Sequence, residues 1–379
     1  MTRILFWCDS FWPRIGGVEV LAARIVVALK ERGHDITVVA DQPTDVEAES
    51  SYHDMVVRRL PFHEVAASRD VERWAETRAK VVALKKAFRA ELVWVYHINV
   101  DVMFHLTTEA AHPAPMLCTV HGAFPDGSLS ASTPIARAMR SAAWVTACSV
   151  AALDGARRQL PEIAPRSTAI LNALAMPSLA PRPLAFAEPS LLCIGRLAKP
   201  DEKGFDVALR AMALVLEHAP LARLRIAGDG PNRDELERQA TALGVSESVD
   251  FLGWVHPDEI LALLNQSTML LMPSRVAEGF GLVALQAAQM ERPVVATNVG
   301  GVAEVVAHGE TGLLVEREDH AGLASAIVTL LNDPALAVHM GAAARRRAET
   351  VFAWERHVDA YDALVRRLAG SDDVRMSAG

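Results

Sequence analysis

The sequence predicts an α/β protein built from two doubly wound parallel-sheet domains, and three observations carry that prediction. Short apolar runs of strand length alternate with longer segments of helical periodicity along the 379 residues, the pattern of a parallel sheet covered on both faces. Several of the runs end in glycine-bearing turns that lead into helices, which is where open α/β sheets bind ligands. The chain is also too long for one ordinary core, and its composition shifts between Ala175 and Pro189, where Pro177, Pro181, Pro183 and Pro189 cluster. Such a stretch reads as an extended linker. A first domain over 1–183 and a second over 184–351 are expected, with the terminal segment 352–379 crossing back to the first.

Hydrophobic residues make up 51% of the chain and charged residues 22%, a globular composition. No run reaches the roughly 18 apolar residues of a membrane span. The opening Met1-Thr-Arg-Ile-Leu-Phe-Trp-Cys-Asp9 meets an aspartate before a signal-peptide core is built, so a cytoplasmic location is expected. Cys8, Cys118, Cys148 and Cys193 are far apart and form no Cys-x-x-Cys pair, which predicts reduced, buried thiols. A net charge of −8 argues against nucleic-acid binding. The charge is uneven, since residues 1–183 carry +1 and the remainder −9, leaving room for a local basic face on the first half.

In chain order, Ile4 to Cys8 reads as a buried strand, Pro13 to Gly17 as a turn, and Val18 to Arg32 as a helix with Leu21, Ile25, Val26 and Leu29 on one face, stopped by Gly33. The turn is Gly16-Gly17-Val18-Glu19 and lacks the G-x-G-x-x-G of a dinucleotide site. Strands follow at Ile36 to Ala40, Val56 to Leu60, Leu92 to Tyr96, Met116 to Val120 and Val145 to Cys148. A single long helix is expected over 69–89, with seven Lys and Arg against three acids. It reads chiefly as a solvated helix face, with weak contact to an anionic membrane surface as the alternative. His121-Gly122 directly follows a strand, where a functional residue belongs, and its imidazole offers a neutral donor or acceptor near pH 7. The spacing of His97, His105 and His112 fits no metal site.

The second domain opens with strand Leu191 to Ile194, then Gly195-Arg196, then Lys203-Gly204 before a helix. Arg196 and Lys203 suit a diphosphate, one by a planar fork and the other as a point charge. Turn chemistry alone accounts for Gly228-Asp229-Gly230-Pro231. Gly253-Trp254-Val255 ends a strand as a lip for a base. The stretch from Arg275 to Gln286 lies between the apolar strand Met269 to Met272 and a helix from Leu282. Gly279 and Gly281 admit a ligand to the backbone, and the N–H groups opening the helix suit a phosphate. Glu278 beside such an anion site should face another part of the ligand, such as sugar hydroxyls. After Val294 to Thr297 and Leu313 to Val315, helices are expected at 321–331, 335–349 and Trp354 to Leu368, with the tail from Gly370 fraying.

Together these residues resemble the retaining glycosyltransferases of family four, which have the GT-B fold. The resemblance spans nearly the whole chain. It rests on Gly16-Gly17-Val18-Glu19, His121-Gly122, Asn172, Gly195-Arg196 with Lys203-Gly204, Gly228-Asp229-Gly230-Pro231, Glu278-Gly279-Phe280-Gly281-Leu282-Val283, and Pro293 to Gly301 with Glu304; Phe352-Ala353-Trp354-Glu355 resembles the start of the family's crossing helix. It implies two Rossmann-like domains facing each other across a cleft, a nucleotide-sugar donor bound mainly by the second domain, and an acceptor bound mainly by the first. Arg196 and Lys203 match positions that neutralise the donor diphosphate, Leu282 and Val283 add backbone donors, Glu278 matches the residue bonding the donor sugar, and His121 the one beside its anomeric region. Gly16 and Gly17 would let the first-domain loop close over the phosphates. Gly195, Val255, Gly279, Phe280 and Gly281 complete the donor-binding set.

The implied reaction is same-face transfer of a hexosyl or aminohexosyl group from a nucleotide sugar, a UDP-sugar first among them. The acceptor is a hydroxyl on a small molecule, glycan or lipid-linked compound, and the leaving phosphate takes the acceptor's proton. With Arg196 and Lys203 supplying the charge, no metal or other cofactor is required, and the sequence has no Asp-x-Asp triplet. Two positions differ from the family. The second glutamate, eight residues after Glu278, is Gln286, which loses a charge-assisted bond to the ribose; and the usual Asn-Gly is Asn172-Ala173. The rival readings are a nucleotide-sugar 2-epimerase of the same fold and a catalytically idle sugar-nucleotide-binding protein.

Overall fold

The computed structural model describes residues 1–14, 16–43, 45–125, 127–130 and 132–370. The expected fraying of the tail beyond Gly370, and Ile15 in the first glycine turn, lie outside the described residues. The chain divides into two compact units, Met1–Leu171 joined by the segment from Glu355, and Asn172–Trp354.

In the first unit eight strands form one sheet: β1 (Arg3–Cys8), β2 (Asp35–Asp41), β3 (Glu49–Tyr52), β4 (Met55–Leu60), β5 (Leu92–His97), β6 (Met116–Val120), β7 (Trp144–Ala147) and β8 (Ser167–Ala169), in the order β3-β4-β2-β1-β5-β6-β7-β8. Every pairing is parallel except β3 with β4. The central strands are apolar runs because both faces are covered; Ile4 to Cys8 are each 0% exposed. The edge strand β3, Glu-Ser-Ser-Tyr, and the three-residue β8 carry no apolar run for sequence reading to detect.

The expected helix over 69–89 is present as Val71–Phe88, and a further short helix, Phe62–Ser68, precedes it. Arg69 stands in the left-handed region at φ 56°, and Asp70 caps the second helix by accepting from the backbone N–H groups of Glu72 at 2.9 Å and Arg73 at 3.2 Å. Trp74 fixes that helix by stacking on Phe104 with ring centroids 4.1 Å apart. The terminal helix Trp354–Gly370 packs on this unit: Tyr361 lies 4.7 Å from the Trp94 ring, and Asp362 bonds His34 at 2.6 Å.

The second unit holds six parallel strands, β9 (Ser190–Ile194), β10 (Arg223–Ala227), β11 (Val249–Gly253), β12 (Met269–Met272), β13 (Val294–Thr297) and β14 (Gly312–Val315), ordered β11-β10-β9-β12-β13-β14. Its core gathers Leu191, Leu224 and Leu271 from the sheet with Phe205, Leu209 and Ile327 from the helices. The units part before the proline-rich stretch rather than at 183/184, because residues upstream of Pro183 are tied into the second unit. Arg182 N donates to Asn265 Oδ1 at 2.8 Å, Asn265 Nδ2 to the Ala180 carbonyl at 2.9 Å, and Gln289 Nε2 to the Leu174 carbonyl at 3.2 Å.

Each sheet reverses its winding once. In the first unit the chain leaves β1 for β2 on one side and later returns to β5 on the other; in the second it leaves β9 for β10 and returns to β12. Loops after β1 and β5, and after β9 and β12, therefore flank the two switch points, where such sheets hold ligands. Among the described residues no single helix is long and apolar enough to cross a membrane.

Candidate functional site

At the second unit's switch point the loop after β9 delivers Lys203 and the loop after β12 delivers Glu278. They meet: Lys203 Nζ lies 2.5 Å from Glu278 Oε1, and Ser274 Oγ donates to the same oxygen at 2.7 Å. Glu278 is largely enclosed, with its side chain 15% exposed against 34% for Lys203. Sequence reasoning set the two residues against different parts of a ligand; without one, each is the other's partner. Arg196 is exposed.

The frame around this pair is rigid for identifiable reasons. Asp201 Oδ1 accepts from the N–H groups of Lys203 and Gly204 at 3.2 and 2.9 Å, turning the chain into the helix Phe205–Leu216. Arg275 grips Asp206 through both terminal nitrogens at 2.5 and 2.7 Å and Glu318 at 2.9 Å, while its backbone N–H donates to the Glu202 carbonyl at 2.9 Å. Burial alone would raise the Asp206 carboxyl, but its bonds to Arg275 win and leave it below its ordinary range; Arg275 likewise draws Glu318 down. The loops that carry Lys203 and Glu278 are thus bolted together.

Two glycines permit contacts that no side chain would survive. A Cβ on Gly228, at φ +143°, would stand 1.8 Å from the Gly195 carbonyl oxygen, and one on Gly300 2.2 Å from the Glu278 carbonyl oxygen. Gly301 N–H donates to that same Glu278 oxygen at 2.9 Å.

Gly281, at φ +100°, caps the helix Leu282–Gln289, so the N–H groups of Leu282 and Val283 open it without intrahelical acceptors. The side chain of Phe280 belongs to the core, 3% exposed and edge-on to Phe352 at 5.5 Å, which leaves only its backbone to the turn. Gln286 is half-buried one turn further along, and Val255 is half-buried beyond β11 beside the exposed Trp254. Gly195 sits against Lys203, its missing Cβ 3.3 Å from Cγ.

In the first unit His121 follows β6 and lines a cavity of about 280 Å³ with Val18, Tyr96, His97, Thr119 and Phe124. Neither ring nitrogen has a partner of good hydrogen-bond geometry, and the Tyr96 hydroxyl and His97 Nδ1 are buried and unpartnered as well. Burial, assisted by repulsion from His97 and His357, lowers the His121 pKa to about 3, so the imidazole is neutral near pH 7 as expected. Gly16 precedes the helix Gly17–Glu31.

The first switch point also holds residues that sequence reasoning passed over. Asp9 Oδ1 lies 2.6 Å from His63 Nε2, and Asn99 Nδ2 donates to Asp9 Oδ2 at 3.2 Å. Asp101, 0% exposed, is pushed well up by burial and by the neighbouring Asp9. These residues come from the loops after β1 and β5 and from the helix Phe62–Ser68, and no spacing rule links them. Of the histidines whose spacing fits no metal site, His105 is buried 5.5 Å from the Trp7 ring and His112 Nε2 lies 2.9 Å from the Ala90 carbonyl.

Comparison with known proteins matches both halves of the sequence to known families. Residues 15–173 match the family model described as Glycosyltransferase Family 4, and residues 188–333 the one described as Glycosyl transferases group 1. A glycogen synthase of Mycobacterium tuberculosis is 30% identical over 373 residues, covering 90% of this chain and 88% of that protein. Among solved structures, sucrose-phosphate synthase of Thermosynechococcus elongatus superposes with a TM-score of 0.80 at 21% identity, over 98% of this chain and all (100%) of that one. HepE of Anabaena, solved in complex with UDP-glucose, superposes with a TM-score of 0.76 at 20% identity, over 97% and 99%.

Proposed function

We propose, for a chain that belongs to the group 1 glycosyl transferases of glycosyltransferase family 4, a retaining, metal-independent transfer of a hexosyl or aminohexosyl group from a UDP-sugar to a hydroxyl acceptor. The observation that carries this reading is the Lys203–Glu278 pair at the second switch point. A cation for the diphosphate and a carboxylate for sugar hydroxyls stand within one ligand's reach. On donor binding Lys203 exchanges Glu278 for a phosphate, and the released carboxylate accepts from the sugar. Arg196 closes on the diphosphate, and the N–H groups of Leu282 and Val283 add the positive end of their helix. Val255 flanks the base, Gln286 the ribose, and the backbone at Gly195 and from Gly279 to Gly281 admits the ligand.

The chemistry follows from charge. As the bond from the anomeric carbon to the phosphate oxygen breaks, negative charge gathers on the diphosphate and positive charge on the sugar, so the fixed cations Lys203 and Arg196 lower the barrier. The acceptor oxygen attacks from the face the phosphate leaves, and that phosphate takes the acceptor's proton. A neutral His121 serves a sugar at this stage better than an imidazolium, which would repel the developing cation. Gly16 and Gly17 bear no side chains at the start of the helix Gly17–Glu31. The UDP preference is supported by the UDP-glucose bound in the similarly folded HepE, and the reaction belongs where nucleotide sugars are made, in the cytoplasm.

Incubating the protein with UDP-, GDP-, ADP- and TDP-sugars, cell extract and a chelator tests the reading. Sugar transfer from the UDP donor with the anomeric configuration kept is expected. An epimerised donor without an acceptor product, or nucleotide binding without turnover, would overturn it.

A further inference from the structure

A groove of about 510 Å³ in the first unit runs between the end of β4 and the helix Val71–Phe88. Gln42, just past β2, and Leu60 and Pro61, at the end of β4, line one part; Lys80, Leu84 and Ala87 of the helix line another. Gln42 and Pro61 follow the carboxyl ends of parallel strands, so the groove opens at the edge of the sheet that also presents Asp9, Asn99 and His121.

Its charges do not balance. Arg58, Arg59, Lys80 and Glu49 line it, and Glu49 is taken by Arg58. Arg59 is 4% exposed, and among the described residues it donates to neutral groups: the Trp12 carbonyl at 2.6 Å, Ser50 Oγ at 2.7 Å and the Glu47 carbonyl at 3.3 Å. Among the described residues neither Arg59 nor Lys80 forms an ion pair. An arginine stays protonated in such a setting, and a buried cation with no anion is costly to maintain. Two uncompensated cations match the charge of about −1.5 to −2 on a phosphate monoester. The apolar wall of Leu60, Pro61, Leu84 and Ala87 calls for a hydrocarbon body beside it, and the volume falls within the ~300–1,000 Å³ of small-molecule sites.

We propose that this groove binds a phosphate ester carried on an apolar body, and that it is the acceptor subsite. The acceptor role rests on the transferase reading above; the binding site does not. The Trp12 carbonyl held by Arg59 belongs to the loop after β1, so the same guanidinium ties the groove to the first unit's switch point.

Calorimetric titration of the full chain with octyl phosphate, octanol and inorganic phosphate, and of UDP in parallel, tests the proposal. Octyl phosphate is expected to saturate one site, with octanol and inorganic phosphate each at least ~10-fold weaker. Lys80→Ala, an exposed position, is expected to weaken octyl phosphate at least ~10-fold while UDP binding is unchanged, and Arg59→Met to abolish it. Absence of saturation, coincident Lys80→Ala and wild-type titrations, or equal affinity for octanol would each overturn the site. Pelleting with phosphatidic acid vesicles separates the sources: binding of the free ester alone assigns a soluble acceptor, and Lys80-dependent binding of both assigns a lipid. If octyl phosphate binds but no nucleotide sugar does, the transferase reading fails and the groove stands; the reverse removes the groove alone.

Discussion

The two switch points solve opposite problems with one scaffold. In the second unit the charged groups that fasten the loops after β9 and β12 to each other are already partnered, Lys203 with Glu278 and Arg275 with Asp206 and Glu318, while Arg196 stays exposed. In the first unit Asp9 is paired with His63 and Asn99, but several enclosed polar atoms near β5 and β6 are unmatched: the Tyr96 hydroxyl, His97 Nδ1, Asp101 Oδ2 and both nitrogens of His121. A paired site keeps its geometry without a ligand and suits a ligand whose phosphates never change. An unmatched site leaves its hydrogen bonds to be completed from outside, which suits the more variable partner in a transfer.

The comparison can be broken most forcefully at its paired end. Lys203→Ala should lower kcat by about 10²–10³ with little change in circular dichroism, since a cation on the leaving group acts in the transition state; near-normal turnover would remove the lysine from the chemistry. Next comes Gly228→Ala, whose Cβ meets the Gly195 carbonyl oxygen at 1.8 Å. It should destabilise the second unit by about 3 kcal/mol, read as a shifted urea midpoint for that unit with the first unit's transition in place.

The units should also part company in mild acid. Burial lowers His105 to about 3, helped by Lys85, and His357 to about 4, and His121 likewise stands at about 3; all three belong to the first unit. Unfolded histidine titrates near ~6.5. Their folded values lie below that, so the stability of the neutral form is fully present above ~6.5 and is lost as pH falls from there toward about 3 to 4. Asp101, pushed well up by burial and by Asp9, works in the opposite sense but is one group against three. Asp206 and Glu318, drawn down by Arg275, lose their contribution only as pH falls through the carboxylate range. Segment-resolved hydrogen exchange between pH 7 and 4.5 should therefore show the first unit opening first; simultaneous opening would mean the buried imidazoles do not govern it. The smallest effect is expected at Gln286→Glu, where a charge-assisted bond to the ribose should tighten UDP by about 1 kcal/mol, some ~5-fold, in calorimetry. A large loss of affinity there would show a ribose pocket shaped to the amide.

What was legible in the sequence follows the same division. Buried parallel strands announce themselves as apolar runs, and glycine turns at their ends mark the loops that carry Lys203 and Glu278. The edge strand Glu49–Tyr52 is a polar Glu-Ser-Ser-Tyr run and stayed invisible, and the short helix Phe62–Ser68 is too brief for its periodicity to stand out. That Lys203 and Glu278 touch could not be read, since 75 residues separate them. Asp9, His63 and Asn99 were missed for a related reason. Each is ordinary in its own segment, and only the winding of the sheet brings them together. The unpaired state of Arg59 is likewise a property of burial, which composition does not record.

The Lys203–Glu278 contact also bears on how a turnover would end. On the proposed chemistry, a sugar nucleotide compensates both residues at once, the lysine through phosphate and the glutamate through hydroxyls. Once the sugar has left, the nucleotide diphosphate still satisfies Lys203 but strands a largely enclosed carboxylate, and the carboxylate then competes for its lysine. The pair thereby weakens the hold on the spent nucleotide relative to the donor, and expels product using a bond that exists in the resting protein. Glu278→Gln should consequently slow UDP release in stopped-flow measurements; release at an unchanged or faster rate would show that the carboxylate takes no part in clearing the site.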